Sequence, residues 1–414
     1  MRKYLAILLL LPATLVLSAI AANVLIDPYA VHGSPRWKGL NLEKPAFATN
    51  ERLLKVFLAR QPVHTVVLGT SRSEVGIDPR SPAFAEKRVA NLATSNQPYQ
   101  ETLELLKEAA ARGARRAIIG LDFFVGNDGR RYPSDFAPGM YSGISKWRIA
   151  TSLSTLLDSY NTLRNQDAAR NASIQMRPDG SRVFSDSYVA IHGGHNQLFL
   201  DTEVSYLRNV YPPADAFGLD LGKADASAMK CVFRIFEFAQ VHGIELHAFI
   251  SPSHAQLWET LYQGGLWEKW EAWKRQLVVL NQLAARDAGR SPFPIVDFSG
   301  FNAFTTEPVP MPLDTSTQMR WYIEASHYRP ALGELVLQRL LPDGSPLPSE
   351  SAFGVSLEPS SIESALRGIR SDHARWRSSH QQTVAGVGRA VAASTMSRRR
   401  NSQFARAVPG QGCY

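Results

Sequence analysis

The stretch HTVVLGTSRSEVGIDP, His64 to Pro79, carries an apolar, strand-like run into Gly69-Thr70-Ser71-Arg72. A hydroxyl two residues past the glycine that ends a strand is where an open α/β sheet presents a nucleophile. A serine hydroxyl attacks poorly unless a histidine takes its proton and a carboxylate orients that histidine. Far downstream, in RWYIEASHYRPALGELVLQRLL, Glu324 precedes His327 by three residues. Asp297, at the carboxyl end of the run FPIVDFS, competes with Glu324 as the acid, and His254 in ISPSHAQ is a candidate substrate contact or alternate base. Arg72, beside Ser71, either binds an anionic sugar or phosphate group or pairs with Glu74 or Asp78.

These groups need a frame that holds them at one edge. The runs TVVLG (65–69), RVANLA (88–93), RRAIIGLDFF (115–124), IELHAFISP (244–252) and FPIVDFS (293–299) are short, apolar and rich in β-branched residues. Amphipathic helical patterns such as YQETLELLKEAAARG and DASAMKCVFRIFEFAQVHG separate them, with Gly113 and Gly243 at helix ends just before strands. Strands of this kind alternating with helices predict an α/β fold, doubly wound around a parallel sheet, with ligand groups outside the carboxyl ends of the strands. Residues 125–215 break the rhythm and read as an insertion that shapes the substrate site. His192 and His195 within it lie close enough to suggest a metal pair. Without nearby cysteines or clustered carboxylates, a structural or substrate-contact role is favoured, and neither metal nor cofactor is expected. Trp258, Trp267, Trp270 and Trp273 recur at helical spacing and are expected in a packed helix face rather than a sugar platform.

The order of strand-Gly-x-Ser near the start and a carboxylate three residues before His near the end resembles the SGNH (GDSL-like) hydrolases. It is similar in particular to their membrane-anchored envelope branch, which includes the alginate acetyltransferases and the D-alanyl transfer protein. The resemblance spans about residues 60–342 and implies a three-layer α/β/α, flavodoxin-like domain. It implies that Ser71 attacks an acyl carbon, His327 takes its proton and Glu324 steadies the imidazole. The substrate class implied is an envelope polysaccharide or other acylated carbohydrate, with other envelope acylation proteins as partners. Two departures stand out. Gly69-Thr70-Ser71 replaces the family's Gly-Asp-Ser, and Asp122 lies near the place of its oxyanion-binding asparagine. Oxyanion or substrate candidates are therefore Thr94, Ser95 and Asn96 in NLATSNQ, with backbone N–H groups at Ser71 and near Ser95; an ionised Asp122 cannot donate. A catalytically degenerate relative that binds a glycan or envelope partner without turnover is the alternative.

The ends of the chain carry different information. Arg2 and Lys3 precede an uncharged run from Tyr4 to Ile26, long enough as a helix to cross a bilayer core of about 30 Å. Residues 1–27 are read as an anchor or signal peptide, the anchor being favoured because apolar residues continue past the small-residue site Ala19-Ile20-Ala21. Cations on the cytoplasmic side place the main domain, residues 62–342, outside the cytoplasmic membrane, in the periplasm. Residues 28–61 read as a juxtamembrane segment and lead-in helix. Residues 343–414, with nine arginines from Arg367 to Arg406, read as a disordered or loosely attached basic tail with room for a short helix around 360–380. A net charge of +8 raises nucleic acid as a partner, but the basic residues are scattered and no zinc spacing or RNA-binding motif accompanies them, so none is expected. With only Cys231 and Cys413 available, no structural disulfide is expected.

Overall fold

The computed structural model describes residues 2–85, 88–129, 133–212, 214–217, 228–341 and 353–400. The first helix, α1 (Arg2–Ile26), is followed by α2 (Ala46–Thr49) and α3 (Glu51–Ala59), which lead into β1 (Thr65–Leu68). After β1 come α4 (Ser71–Gly76), β2 (Val89–Asn91), α5 (Tyr99–Ala110) and β3 (Arg116–Leu121). The inserted region then supplies α6 (Lys146–Ala150), α7 (Leu153–Arg164), α8 (Gln166–Arg170), the hairpin β4 (Ile174–Met176) and β5 (Arg182–Phe184), α9 (Asp186–Ile191) and α10 (His195–Ser205), ending in a π turn, Tyr206–Val210. The sheet resumes with α11 (Ala228–His242), β6 (Glu245–Ile250), α12 (Ala255–Gln263), α13 (Trp267–Asp287), β7 (Ile295–Asp297) and α14 (Pro330–Leu340). Last come β8 (Val355–Ser356), α15 (Ile362–Ser379) and α16 (Gln381–Arg400).

The main sheet has the order β2-β1-β3-β6-β7-β8, parallel from β2 through β7, with β8 antiparallel to β7 at the edge. With the separate hairpin set aside, the parallel strands run in the doubly wound order in which the chain reverses direction beside β1. Strand residues alternate between two apolar clusters. Val66, Leu68, Ile119, Leu246 and Ile250 join one with residues of α5, α11 and α13, while Val67, Ile118, Phe249 and Val296 join the other with residues of α14. Both faces of the sheet are covered, so its strands carry apolar residues at consecutive positions, an arrangement compatible with three layers.

The chain closes between α4 and α14. A Cβ on Gly333 would meet the Gly76 carbonyl oxygen at 1.7 Å, and a Cβ on Gly76 would meet the Tyr328 ring at 1.9 Å. These backbones therefore approach as closely as the absence of side chains permits. Pro330 occupies the first turn of α14, where its fixed φ and missing N–H cost nothing.

The C-terminal region corrects the expectation of a disordered tail. Leu357 N–H donates to the Ile295 carbonyl at 2.8 Å, extending β8 along the sheet edge, and Ile362, Leu366 and Trp376 are buried. The carboxylate of Glu259 in α12 receives His373 Nε2 at 2.6 Å, with Arg377 Nε at 3.3 Å. Arginines that looked like tail composition are thus spread along helices docked on the sheet's own helices. Residues 342–352 and 401–414, part of the expected tail, lie outside the described residues. Cys231 is buried in α11, and Cys413, the other cysteine on which the disulfide expectation bears, lies outside the described residues.

Helix α1 runs unbroken through Pro12. The stretch whose side chains are all described, Leu10 to Ile26, is about 25 Å long at helical rise. Among the described residues no helix is long and apolar enough to cross a membrane.

The glycine contact yields a paired expectation. Gly333→Ala drives a methyl group into the Gly76 backbone and should cost about 1–3 kcal/mol in a urea unfolding titration. Gly368→Ala, in the interior of α15 with nothing within 4 Å of the added carbon, should instead stabilise by up to about 1 kcal/mol.

Candidate active site

Strand β1 ends at Leu68, and Gly69 turns the chain with φ +131°, a conformation a side chain would strain. A Cβ there would also stand 2.8 Å from the Gly120 carbonyl of β3. Thr70 caps α4, its hydroxyl accepting from Arg72 N–H at 3.3 Å, and Ser71 becomes the first residue of that helix. The Ser71 N–H donates to no atom among the described residues, as expected of a first-turn amide.

The opposite group arrives on a tight turn. Tyr322 and Tyr328 pair in a short antiparallel bridge, and Ile323 N–H donates to the His327 carbonyl at 3.0 Å. The turn folds Glu324 back under His327. The carboxylate accepts from His327 N–H at 2.8 Å, from Ser326 N–H at 2.9 Å and from Ser326 Oγ at 3.0 Å, and it also bonds His327 Nδ1. His327 Nε2 then faces Ser71 Oγ at 2.8 Å. Ser71, His327 and Glu324 form one continuous hydrogen-bonded chain, although Ser71 and His327 are 256 positions apart. The His327 side chain keeps 23% of its accessible surface, so the reactive edge is open while Glu324 beneath it is closed.

Burial alone would raise the pKa of Glu324. The adjoining His327, the Thr202 hydroxyl and the Ser326 amide oppose that effect and bring it down to about 2. Glu324 is therefore an anion across the working range of any histidine base. It can hold the Nδ1 proton and stabilise an imidazolium, the role of the acid in such a chain.

Asp122 lies at the carboxyl end of β3 and is fully committed. Its Oδ2 accepts from the Thr70 hydroxyl at 2.6 Å and its Oδ1 from Arg72 at 2.7 Å, while its own carbonyl accepts from Tyr99 OH at 3.0 Å. Arg72 also donates to Tyr206 OH at 2.9 Å and lies over the Phe124 ring, its centroid 5.0 Å away. This corrects two expectations. Arg72 is 3% exposed and pairs with neither Glu74 nor Asp78, so it is not a substrate contact; Asp122 organises the floor of the site instead of facing an oxyanion.

The other candidates separate similarly. Ser95 N–H donates to Glu51 Oε1 at 2.8 Å, so the amide expected to serve an oxyanion is occupied. Thr94 is buried, its hydroxyl bonded to Glu101 at 3.3 Å, and belongs to the ion-pair layer of Arg52, Glu101 and Glu51. Asn96 is exposed with φ +54°, a turn position. His254 caps α12 through Nδ1 at 3.2 Å from Gln256 N–H, and its Nε2 donates to the Glu307 carbonyl at 2.8 Å. Burial lowers its pKa to about 4, and with both ring nitrogens engaged it is no alternate base. Its backbone N–H instead holds the Ala325 carbonyl at 2.9 Å, bracing the Glu324–His327 turn. Asp297 accepts from Lys274 Nζ at 2.6 Å and from Ser299, leaving Glu324 as the acid that meets His327. His195 is buried and bonds Ile323 O at 2.8 Å and Met319 N–H at 3.1 Å, supporting the same turn from the inserted region. Trp258, Trp270 and Trp273 are core residues.

Several neighbours were not singled out from sequence. Phe184 of β5 stands with its centroid 6.3 Å from His327, followed by Tyr188 at 4.6 Å from Phe184, and Tyr206 closes over Arg72. The only advance signal was that the insertion should border the site.

Two measurements follow. Wild type should be more stable than Glu324→Gln above about pH 4.5, and that advantage should fade as the pH falls toward about 2, because the folded protein holds this carboxylate ionised below its ordinary 4.5. Thermal unfolding of both proteins across that range reads the difference directly. Asp122→Ala strands the buried Arg72 charge and should cost about 3–5 kcal/mol in chemical denaturation. No protein family, curated protein or solved structure matches this chain.

Proposed function

We propose that this protein is a serine acyl-ester hydrolase or O-acyltransferase of SGNH type, anchored by α1 and acting outside the cytoplasmic membrane on an acylated envelope carbohydrate. The observation that carries the reading is the unbroken chain from Ser71 Oγ through His327 to Glu324. Ser71 Oγ attacks the acyl carbon as its proton passes to His327 Nε2. The carbonyl oxygen becomes an oxyanion beside the Ser71 N–H, and the leaving alkoxide takes the proton back from His327. Water or a sugar hydroxyl then enters by the reverse sequence and releases the acyl group from Ser71. The strand order and two covered sheet faces support a three-layer SGNH-type domain, and the uncharged run of α1 behind Arg2 and Lys3 supports the anchor.

One observation favours a second reading, a non-catalytic glycan-binding relative. Of the oxyanion candidates, the Ser95 amide and the Asp122 carboxylate, which cannot donate while ionised, are both spent on internal bonds. Loss of a single oxyanion donor typically costs about 10²–10³ in rate. A fluorophosphonate probe on the purified full chain separates the two readings. Under the enzymatic reading, wild type labels, Ser71→Ala does not, and His327→Ala labels slower by several orders of magnitude. A folded wild type that resists labelling selects the binding reading.

A further inference from the structure

Helix α7 is turned inside out. In α7 the residues facing the protein are polar: Thr155, Ser159 and Thr162 are buried, and Ser159 Oγ donates to Asn23 Oδ1 of α1 at 3.1 Å. Asn23 Nδ2 in turn donates to the carbonyls of Ala150 at 2.9 Å and Ser152 at 3.1 Å. Asp158, at the border of that face, bonds Tyr29 OH. On the opposite face, Leu153, Leu157 and Tyr160 stand at the i, i+4, i+7 spacing of a helical stripe and are 72%, 59% and 54% exposed. Trp147 of α6, one turn before, is 68% exposed. A soluble surface helix has the reverse arrangement.

What lies beside this face indicates its occupant. From Leu10 to Ser18, α1 is exposed all round; from Ala19 onward it is held by α6, α7 and the loop after it. The carbonyls that end α1 are capped by Asn41 Nδ2 and by Lys44 Nζ, the latter at 2.8 Å from Ile26 O, which places the loop carrying exposed Trp37, Leu40 and Leu42 beside the end of α1. The apolar stripe of α7 thus adjoins the place where the free apolar rod of α1 enters the domain. Arg36, Lys38, Lys146 and Arg148 are exposed around it and form no ion pair among the described residues. Apolar side chains, tryptophans and cations without ion-pair partners around the base of one apolar helix are the composition of a surface that sits in the headgroup region of an anionic bilayer.

We propose that α6, α7 and the 36–42 loop form a second membrane contact, embedded in the anionic phospholipid interface around the base of α1, so that the domain is held against the bilayer in a fixed orientation. The proposal rests on reading α1 as the anchor, and it adds a lipid-binding surface to a segment that otherwise only connects β3 to the site. The fixed orientation would present the Ser71 edge at a set height above the membrane to an immobilised substrate.

The test uses the full chain in vesicles of phosphatidylglycerol and phosphatidylethanolamine, with an environment-sensitive fluorophore on one introduced cysteine at a time. The positions are Leu157→Cys on α7, Leu15→Cys on α1 and Val241→Cys, an exposed residue of α11. The expected result is that the probes at 157 and 15 lose most of their emission to brominated lipid, while the probe at 241 is quenched only by aqueous iodide. Iodide quenching at 157 with lipid quenching at 15 overturns the proposal and leaves the anchor intact. Iodide quenching at both overturns the anchor reading as well. A probe at 157 shielded from both quenchers indicates a second protein copy on this face and also overturns the proposal.

Discussion

The contact between Gly76 of α4 and Gly333 of α14 is the constraint on which the site depends. Ser71 begins α4 and His327 lies just before α14, so the distance between these helices sets the distance between Oγ and Nε2. A methyl group at either glycine requires a shift of backbone or of the buried Tyr328 ring. Near-contact of two main chains is a stiff reference, since packed interiors yield in discrete rearrangements rather than by continuous adjustment. Gly69 and its close approach to the β3 carbonyl fix the other coordinate, the height of Ser71 above the sheet.

Around that contact, charge is used for positioning. Asp122 at the end of β3 binds both the Thr70 hydroxyl and Arg72, tying the turn after β1 to its neighbouring strand at the point where the sheet reverses direction. Tyr206 extends the link into the inserted region. The aspartate that the resemblance expects beside the serine is replaced by Thr70, and the carboxylate in this structure reaches the same turn from a different strand. A buried network of this kind restricts the conformations of the turn more than it adds to net stability.

The strand runs and the Ser71 and His327 positions were legible because each follows from a local rule, while the choice of Glu324 over Asp297 was left to the fold. Continuous apolar segments make two-sided strands, and a carboxylate three residues before a histidine can reach its ring across a turn. Arg72, Asp122 and Ser95 were not legible, because their partners lie on other elements and only the fold brings them together. Asp122 finds Arg72 across 50 positions, and Ser95 finds Glu51 across 44. The C-terminal helices misled for a different reason. Their composition is polar and arginine-rich, but Leu366, His373 and Trp376 lie on one face, and the arginines find carboxylates such as Glu271 and Glu259 on α13 and α12.

The turn that carries Glu324 and His327 is braced by segments made at very different times during synthesis. His195 holds it from the inserted region, His254 from the end of β6, and α14 locks it against α4 only after the last parallel strand has been made. The contact between Ser71 and His327 is thus long-range in sequence, and closing such a loop is slow compared with forming local structure. A growing chain has no His327 partner for the Ser71 hydroxyl until its final third has emerged and docked. The hydrogen bond between Ser71 and His327 is therefore a report on completed folding.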